Sequence, residues 1–462
     1  IYTKGAMDSV LRFADRIKIQ GEVRPITKED IEHIKHASSK MAESALRVLA
    51  VAEHEGSYAI DESHLIFIGL VGMVDPARPE AKPAVREFKK AGIMTVMITG
   101  DHRDTAFAIA KELGIAEKPE QCMSGDVLAT LSQEQLNEAV KTIRVFARVS
   151  PENKVAIVKA FKANNQIVAM TGDGVNDAPS LKTADIGIAM GITGTDVAKG
   201  AADMVLSDDN FASIEKAVEE GRGIYANIKK TVLFLLSTNF GEVIAMFACV
   251  LMGLPMPLLA SHILWVNLMT DSLPAIALGA DSKDPDIMNE KPRPANESLF
   301  AHHGILTTLS YGFIIAAITV VAFLIPGIRE LNAQHGSVSL EAIKGLYFDL
   351  SGEATDILRE SRTYAFTVLG VSELFHMLGM ANMRKSFVRL FKGKNILFPI
   401  AFFFGLGMQI LVTEIPFLEK AFETNGLSIV EWLLLAALST TPLVVHEIVV
   451  LIQKLTSLKK AK

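Results

Sequence analysis

Cysteine is scarce in this 462-residue sequence: Cys122 and Cys249 are the only two. With no CxxC pair and no Cys/His cluster, a disulfide framework and a zinc site are excluded, and both thiols read as reduced and inert. There is no long basic run, the net charge is −6 and the isoelectric point is near 6.0. Nucleic acid is therefore excluded as a partner. The opening residues, Ile1-Tyr2-Thr3-Lys4-Gly5-Ala6, lack an initiator Met, a basic stretch and an apolar run. They are no signal peptide, and the chain is expected to begin inside a domain. Hydrocarbon, by contrast, is plentiful: 50% of residues are hydrophobic and the mean hydropathy is +0.30. Membrane segments are expected, and the length suits about three domains.

Composition shifts once, near Lys229-Lys230, from mixed polar and apolar sequence to long apolar stretches. Before the shift, buried-strand runs at 64–71, 95–98, 167–170 and 186–189 alternate with helical patterns near 79–91, 103–113 and 152–163. That alternation predicts a doubly wound parallel sheet, an α/β fold. After the shift, six spans are long and apolar enough to cross a bilayer: 231–254, 258–279, 304–325, 363–382, 396–415 and 429–453. They predict an α-helical multi-pass membrane domain over 226–462. The 384–394 loop and the tail Lys459-Lys460-Ala461-Lys462 are basic, whereas the 326–362 loop carries Glu330, Glu341, Asp349, Glu353, Asp356 and Glu360. By the positive-inside rule the soluble part and the C-terminus are cytoplasmic. The membrane is a bacterial plasma membrane or an internal eukaryotic one.

Two predicted strands end in phosphate-like turns, Thr99-Gly100-Asp101 and Thr171-Gly172-Asp173-Gly174-Val175-Asn176-Asp177-Ala178-Pro179. Strand-end loops of an open parallel sheet converge on the site. A hydroxyl and free backbone N–H groups at a helix start hold phosphate oxygens, and Asp173 and Asp177 suit Mg²⁺, which prefers one or two carboxylates plus phosphate. Lys154 opens a helix between these strands, where it can neutralise charge on a transferring phosphoryl group.

In the apolar half, polar residues stand at mid-span, where they are costly and default to function. Asn239 and Glu242 are spaced i, i+3; Asn267, Thr270 and Asp271 are spaced i, i+3, i+4; Glu373 lies in the fourth span. Pro274 is expected to loosen the helix around the second group. Their side-chain oxygens suffice for one hard cation such as Ca²⁺, and the absence of thiolate and imidazole argues against soft metals. His262, Gln409, Glu414, His446 and Glu447 are read as structural.

The nine-residue TGDGVNDAP run, with Thr99-Gly100-Asp101, Lys154 and the hinge-like Asp75-Pro76-Ala77-Arg78, resembles the P-type ATPases. The resemblance spans nearly the whole chain. It implies a haloacid dehalogenase-like phosphorylation domain over 75–225 preceded, in 1–74, by part of a nucleotide-binding domain. It also implies that Thr99, Gly100 and Asp101 serve the phosphoryl group, Lys154 stabilises the phosphoenzyme, Asp173 ligates Mg²⁺, and Asn176 and Asp177 complete that shell. Lys4, Arg47 and Arg78 would border the nucleotide. The set Asn239, Glu242, Asn267, Thr270, Asp271 and Glu373 resembles the calcium pumps of the sarco/endoplasmic reticulum type. One departure stands out: the family's Asp-Lys-Thr-Gly-Thr segment, which holds the phosphorylated nucleophile, occurs nowhere in the sequence. The expectation is therefore a C-terminal portion of an ATP-driven calcium pump, with ATP as substrate, a lipid bilayer around it and the missing N-terminal half as partner. The alternatives are a pump for Mn²⁺, Na⁺ or H⁺, and a non-catalytic membrane fragment that binds a full-length pump.

Overall fold

The computed structural model describes residues 1–43, 46–54, 63–73, 77–294, 296–301, 303–334, 338–349, 352–382, 385–388 and 395–460. The Asp75-Pro76 pair, most of the basic 384–394 loop and the last two residues lie outside that set. The chain divides into two compact units, Ile1–Glu219 with Met288–Asn296, and Glu220–Ile287 with Glu297–Lys462.

In the first unit, strands β1 (Tyr2–Gly5), β2 (Ala14–Ile19), β3 (Glu22–Pro25), β4 (Arg47–Glu53) and β5 (Leu65–Met73) form a mixed sheet in the order β1-β4-β5-β2-β3. The β2–β3 connection places Gln20 and Gly21 at φ of 52° and 92°, the positive values a two-residue hairpin turn needs to match strand twist. Ala50, Ala52, Leu65 and Phe67 are buried beneath Val10, Ile17 and Ile34. The β-branched and aromatic side chains of β5 suit this position.

The expected parallel architecture follows in β6 (Met97–Ile98), β7 (Cys122–Ser124), β8 (Val145–Ala147), β9 (Ala169–Gly172), β10 (Ile186–Met190) and β11 (Met204–Leu206). All their pairings are parallel. They form two three-stranded sheets, β6-β8-β7 and β11-β10-β9, rather than one continuous ladder. Ile98 of β6 nevertheless packs into the apolar cluster around Val158, Met170 and Leu181 that lies against β9 and β10. Helices α1 (Arg103–Leu113), α2 (Pro151–Ala163) and α3 (Ala178–Thr183) start just after β6, β8 and β9. Ser150 caps α2 by accepting from the Asn153 N–H, and Pro151 occupies its first turn, a position where the missing donor costs nothing.

The β10 exit loop is held by one carboxylate. Asp209 accepts from the backbone N–H groups of Gly191, Ile192 and Thr193 at 2.6, 2.9 and 2.7 Å, and from the Thr193 hydroxyl. The Ile192 N–H leads the donors that pull its pKa down to about 2.

The second unit is helical: α4 (Phe211–Leu251, of which Glu220 onward belongs to this unit), α5 (Ala260–Trp265), α6 (Ser272–Gly279), α7 (Gly304–Ala333), α8 (Gly352–Met380), α9 (Leu397–Glu414), α10 (Ile429–Ser439) and α11 (Thr441–Lys460). Among the described residues four stretches, Phe211–Leu251, Gly304–Ala333, Leu397–Glu414 and Ile429–Thr456, are long and apolar enough to cross a membrane. The expected span over 258–279 is not one helix: α5 gives way to a π-helical turn at Val266–Thr270 before α6. Pro274 explains the break, because its nitrogen cannot donate to the carbonyl of Thr270 four residues back; the Asp271 N–H instead reaches the Val266 carbonyl at 3.0 Å. The expected span over 363–382 is the C-terminal part of α8, whose hydropathy is lowered by Ser372, Glu373 and His376, all buried. The expected span over 304–325 is longer in the structure, where α7 continues through Pro326 to Ala333.

Glycine sets how closely two of these helices approach. A Cβ on Gly241 of α4 would stand 2.8 Å from Ile315 Cγ2, and one on Gly312 of α7 would stand 3.0 Å from Phe240 Cβ. Small residues at both contact points bring the backbones together. At one end, Arg329 of α7 donates two bonds to Glu360 of α8 and one to Glu431 of α10, and the Tyr364 hydroxyl donates to Glu431.

A depressed carboxylate pKa stabilises the fold above the unfolded value of about 3.9 and loses that contribution as pH falls toward the folded value. For Asp209 the window runs from about 4 down to about 2. Asp209→Asn is expected to lower the melting temperature at pH 7 and to flatten its fall across this window, as read by melts at stepped pH.

Candidate phosphate site and cation pocket

In the first unit, the ends of β6, β8 and β9 lie together and their loops are tied by hydrogen bonds. The Thr99 hydroxyl donates to Asp101 Oδ2 at 2.9 Å and accepts from the Asp101 N–H at 3.1 Å. The Val149 N–H donates to the Thr99 carbonyl and the Arg148 N–H to the Asp101 carbonyl, so this turn sits beside the start of α2. Lys154, in the first turn of α2, reaches across to the β9 loop, where its Nζ lies 2.6 Å from Asp177 Oδ1. Asp177 Oδ2 accepts from the Gly174 N–H at 3.1 Å and from the Asp173 N–H at 3.4 Å.

The residues expected from sequence are thereby brought to one end of the parallel strands, in two roles. Both oxygens of Asp177 accept hydrogen bonds and its side chain is buried, so it organises the loop. Asp173 and Asn176 are exposed, as is Gly100. The exposed carboxylate of Asp173 fits Mg²⁺, which takes one or two carboxylates and fills its other positions with water and phosphate oxygens. Gly172 permits the arrangement: a Cβ there would stand 2.4 Å from Asp177 Cβ.

Of the residues expected near a nucleotide, Lys4 is exposed on β1. Arg78 is exposed and its Nη1 donates to the Asp209 carbonyl at 2.9 Å. Arg47 begins β4, and its side chain lies outside the described set.

In the second unit, three carboxylates from three helical segments meet. Glu242 of α4, Asp271 at the end of the π turn and Glu373 of α8 are 4%, 2% and 0% exposed, and Asp271 lies within electrostatic reach of the other two. Each has one oxygen held by a neutral donor. The Thr270 hydroxyl donates to Glu373 Oε2 at 2.9 Å, the Thr238 hydroxyl to Asp271 Oδ2 at 3.1 Å, and Asn267 Nδ2 approaches Glu242 Oε2 at 3.5 Å. The remaining oxygens, Glu242 Oε1, Asp271 Oδ1 and Glu373 Oε1, are buried without a hydrogen-bond partner among the described residues.

Asn239 does not join them. It is exposed, and its Nδ2 donates to the Leu235 carbonyl of its own helix at 2.6 Å. Residues three apart diverge by about 60° around a helix and residues four apart by about 40°. Thr238, four before Glu242, therefore faces the pocket in place of Asn239. The i, i+4 spacing is the signal that would have found it.

Parallel strands with a phosphate-type loop cluster, followed by helices that gather buried carboxylates, define a haloacid dehalogenase-like domain joined to a membrane region. Comparison with known proteins agrees. Residues 6–185 match the family described as haloacid dehalogenase-like hydrolase, and residues 255–452 match cation transporting ATPase, C-terminus. A protein named calcium-transporting ATPase 1 from Bacillus cereus is 50% identical over 462 residues, 98% of this chain and 50% of that protein. The Bacillus subtilis calcium-transporting ATPase is 40% identical, covering 96% and 48%. The human calcium-transporting ATPase type 2C member 1 is 36% identical, covering 97% and 46%. The chain belongs to the P-type ATPases, in their cation-transporting group. It spans about half the length of the curated relatives it matches.

Gly172→Ala drives a methyl group into Asp177 at 2.4 Å. It is expected to destabilise the first unit by about 1–3 kcal/mol, as overpacking does, measurable by chemical denaturation.

Proposed function

We propose that this chain is the phosphate-stabilising and cation-binding part of an ATP-driven calcium pump that works through an aspartyl-phosphate. The observation that carries the reading is the set of three unpartnered carboxylate oxygens, Glu242 Oε1, Asp271 Oδ1 and Glu373 Oε1, buried in the helical unit. Buried anionic oxygens need a counter-charge. A bound hard cation supplies one, and the donors here are oxygens alone, the preference of Ca²⁺. Asn267 and Thr270 add neutral oxygens. Asn239, directed elsewhere in this structure, is not part of the proposed pocket.

On the soluble side, Thr99 and Gly100 hold the phosphoryl oxygens, with Asp101 fixing the Thr99 hydroxyl. Lys154 offsets the charge that develops on phosphoryl transfer, oriented by Asp177, and Asp173 with Asn176 borders the Mg²⁺ position. Mg²⁺ held at Asp173 would neutralise negative charge on the phosphate oxygens. The nucleophilic Asp-Lys-Thr-Gly-Thr segment is absent from these 462 residues and is supplied from elsewhere in the pump. Residues 1–74 are the nucleotide-binding part, with Lys4, Arg47 and Arg78 bordering ATP, and 75–225 the phosphorylation part. The helical residues 226–462 cross the membrane six times, with the soluble part on the cytoplasmic side.

In the full-length pump, Asp271→Asn is expected to abolish Ca²⁺-dependent phosphorylation by ATP while leaving phosphorylation by inorganic phosphate in the absence of Ca²⁺. Unchanged Ca²⁺-dependent phosphorylation sinks the pocket. Titrating Ca²⁺, Mn²⁺ and Na⁺ separately against ATP hydrolysis tests the ion; activation by Na⁺ but not Ca²⁺ overturns calcium.

A further inference from the structure

Five polar residues of the helical unit are read from sequence as structural, and four of them have partners. His262 stacks on Phe366 at 4.4 Å and contacts the Phe422 carbonyl through Nε2 at 2.6 Å. Glu414 accepts from Trp432 Nε1 and the Leu427 N–H. His446 Nε2 lies 3.4 Å from the Lys385 carbonyl, and Glu447 accepts from the Phe387 N–H. Gln409 differs. It is 0% exposed, and among the described residues neither Nε2 nor Oε1 has a partner. An amide stripped of water with both polar atoms unpaired is costly, so it is retained for something that pairs with it.

Its position says what that is. Gly405 and Gln409 are four apart on α9, hence on one face, and a Cβ on Gly405 would stand 2.7 Å from Leu374 Cδ2 of α8. That face of α9 is therefore turned toward α8. There Gly370 leaves room: a Cβ on it would stand 3.0 Å from Gln409 Oε1 and 3.5 Å from Thr270 Cγ2. Gly370 precedes Glu373 by three residues on the same face of α8, and Thr270 is the donor to Glu373 Oε2. The Gln409 amide thus lies against the segment that holds Glu373 and Thr270.

We propose that Gln409 is a further residue of the cation pocket, its side-chain oxygen serving as a neutral donor one turn along α8 from Glu373. The proposal rests on reading that pocket as the cation site. A neutral oxygen raises the coordination number without adding to the mutual repulsion of three carboxylates, which favours a cation that takes six to eight oxygens. Gly370 is the complementary feature, since any side chain there would occupy the space of the amide.

The test is equilibrium ⁴⁵Ca²⁺ binding to the purified full-length pump, with thermal melts recorded with and without Ca²⁺. Gln409→Leu and Gln409→Met keep the bulk and remove the oxygen. Each is expected to weaken Ca²⁺ binding about tenfold, the scale of losing one supporting partner at a metal site, and to shrink the Ca²⁺-induced rise in melting temperature. Their melting temperature without Ca²⁺ stays level or rises, because an unpaired buried amide has been replaced by an apolar group. Gly370→Ala weakens binding in the same direction by displacing the amide. If Leu and Met variants bind Ca²⁺ as the wild type does, Gln409 is a filler and the proposal falls. If the Leu variant does not fold, the Met variant decides by the same criterion. Wild-type protein that binds no Ca²⁺ overturns the pocket reading and this proposal together, whereas loss of binding in Asp271→Asn with intact binding in both Gln409 variants overturns this one alone.

Discussion

Three carboxylates buried against one another, with one oxygen apiece left unpartnered, set the terms for the helical half of this protein. Like charges in a medium of low polarity repel strongly, and neutral donors offset only part of that cost. Here those donors are Thr238, Thr270 and Asn267, one for each carboxylate. Each is supplied by a neighbouring turn or helix, so the packing that brings the acids together also brings the groups that make them tolerable. The close approach of α4 and α7 at Gly241 and Gly312 and the π turn at Val266–Thr270 belong to the same construction. A regular helix at 266–270 would aim Thr270 and Asp271 along a different line, and the proline that forbids it is four residues downstream.

Much of this was legible in the sequence because the signals were local and costly. Polar residues in the middle of apolar spans have few structural excuses, and Glu242, Asp271 and Glu373 were found on that ground alone. Pro274 foretold the disturbed helix because the rule linking a proline to the carbonyl four residues back is covalent geometry. The parallel strands were legible as short apolar runs ended by glycine-rich turns, although β6 proved shorter than its apolar run. Strand length depends on which neighbours supply ladder bonds, and that information lies elsewhere in the chain.

What the sequence withheld was direction. Asn239 and Glu242 share a helical face by spacing, but a face is broad and a pocket is narrow. Burial distinguished the two residues, and Thr238 took the place that Asn239 was given. Asp177 shows the same limit in the soluble half. A second acid four residues after Asp173 invites the reading of a metal pair, and only coordinates reveal that Lys154 and two backbone N–H groups donate to its oxygens. Gln409 is the converse case. An amide near the middle of an apolar helix reads as an ordinary interhelical hydrogen bond, and only the lack of any bond sets it apart.

The two sites solve the same electrostatic problem in opposite ways. At the phosphate loops the cation is a side chain: Lys154 is fixed on Asp177, which is also held by backbone donors. Pre-set donors of that kind suit chemistry in which charge appears briefly and must meet a rigid environment. At the helical pocket no lysine or arginine is paired with the three acids in the described structure, and the counter-charge is left to come from solution. A buried site of this kind changes its stability with whatever neutralises it, proton or cation, since whatever binds the folded form alone shifts its free energy. The pocket is thus left with carboxylate oxygens still to be neutralised, whereas the phosphate loops carry their own cation in Lys154.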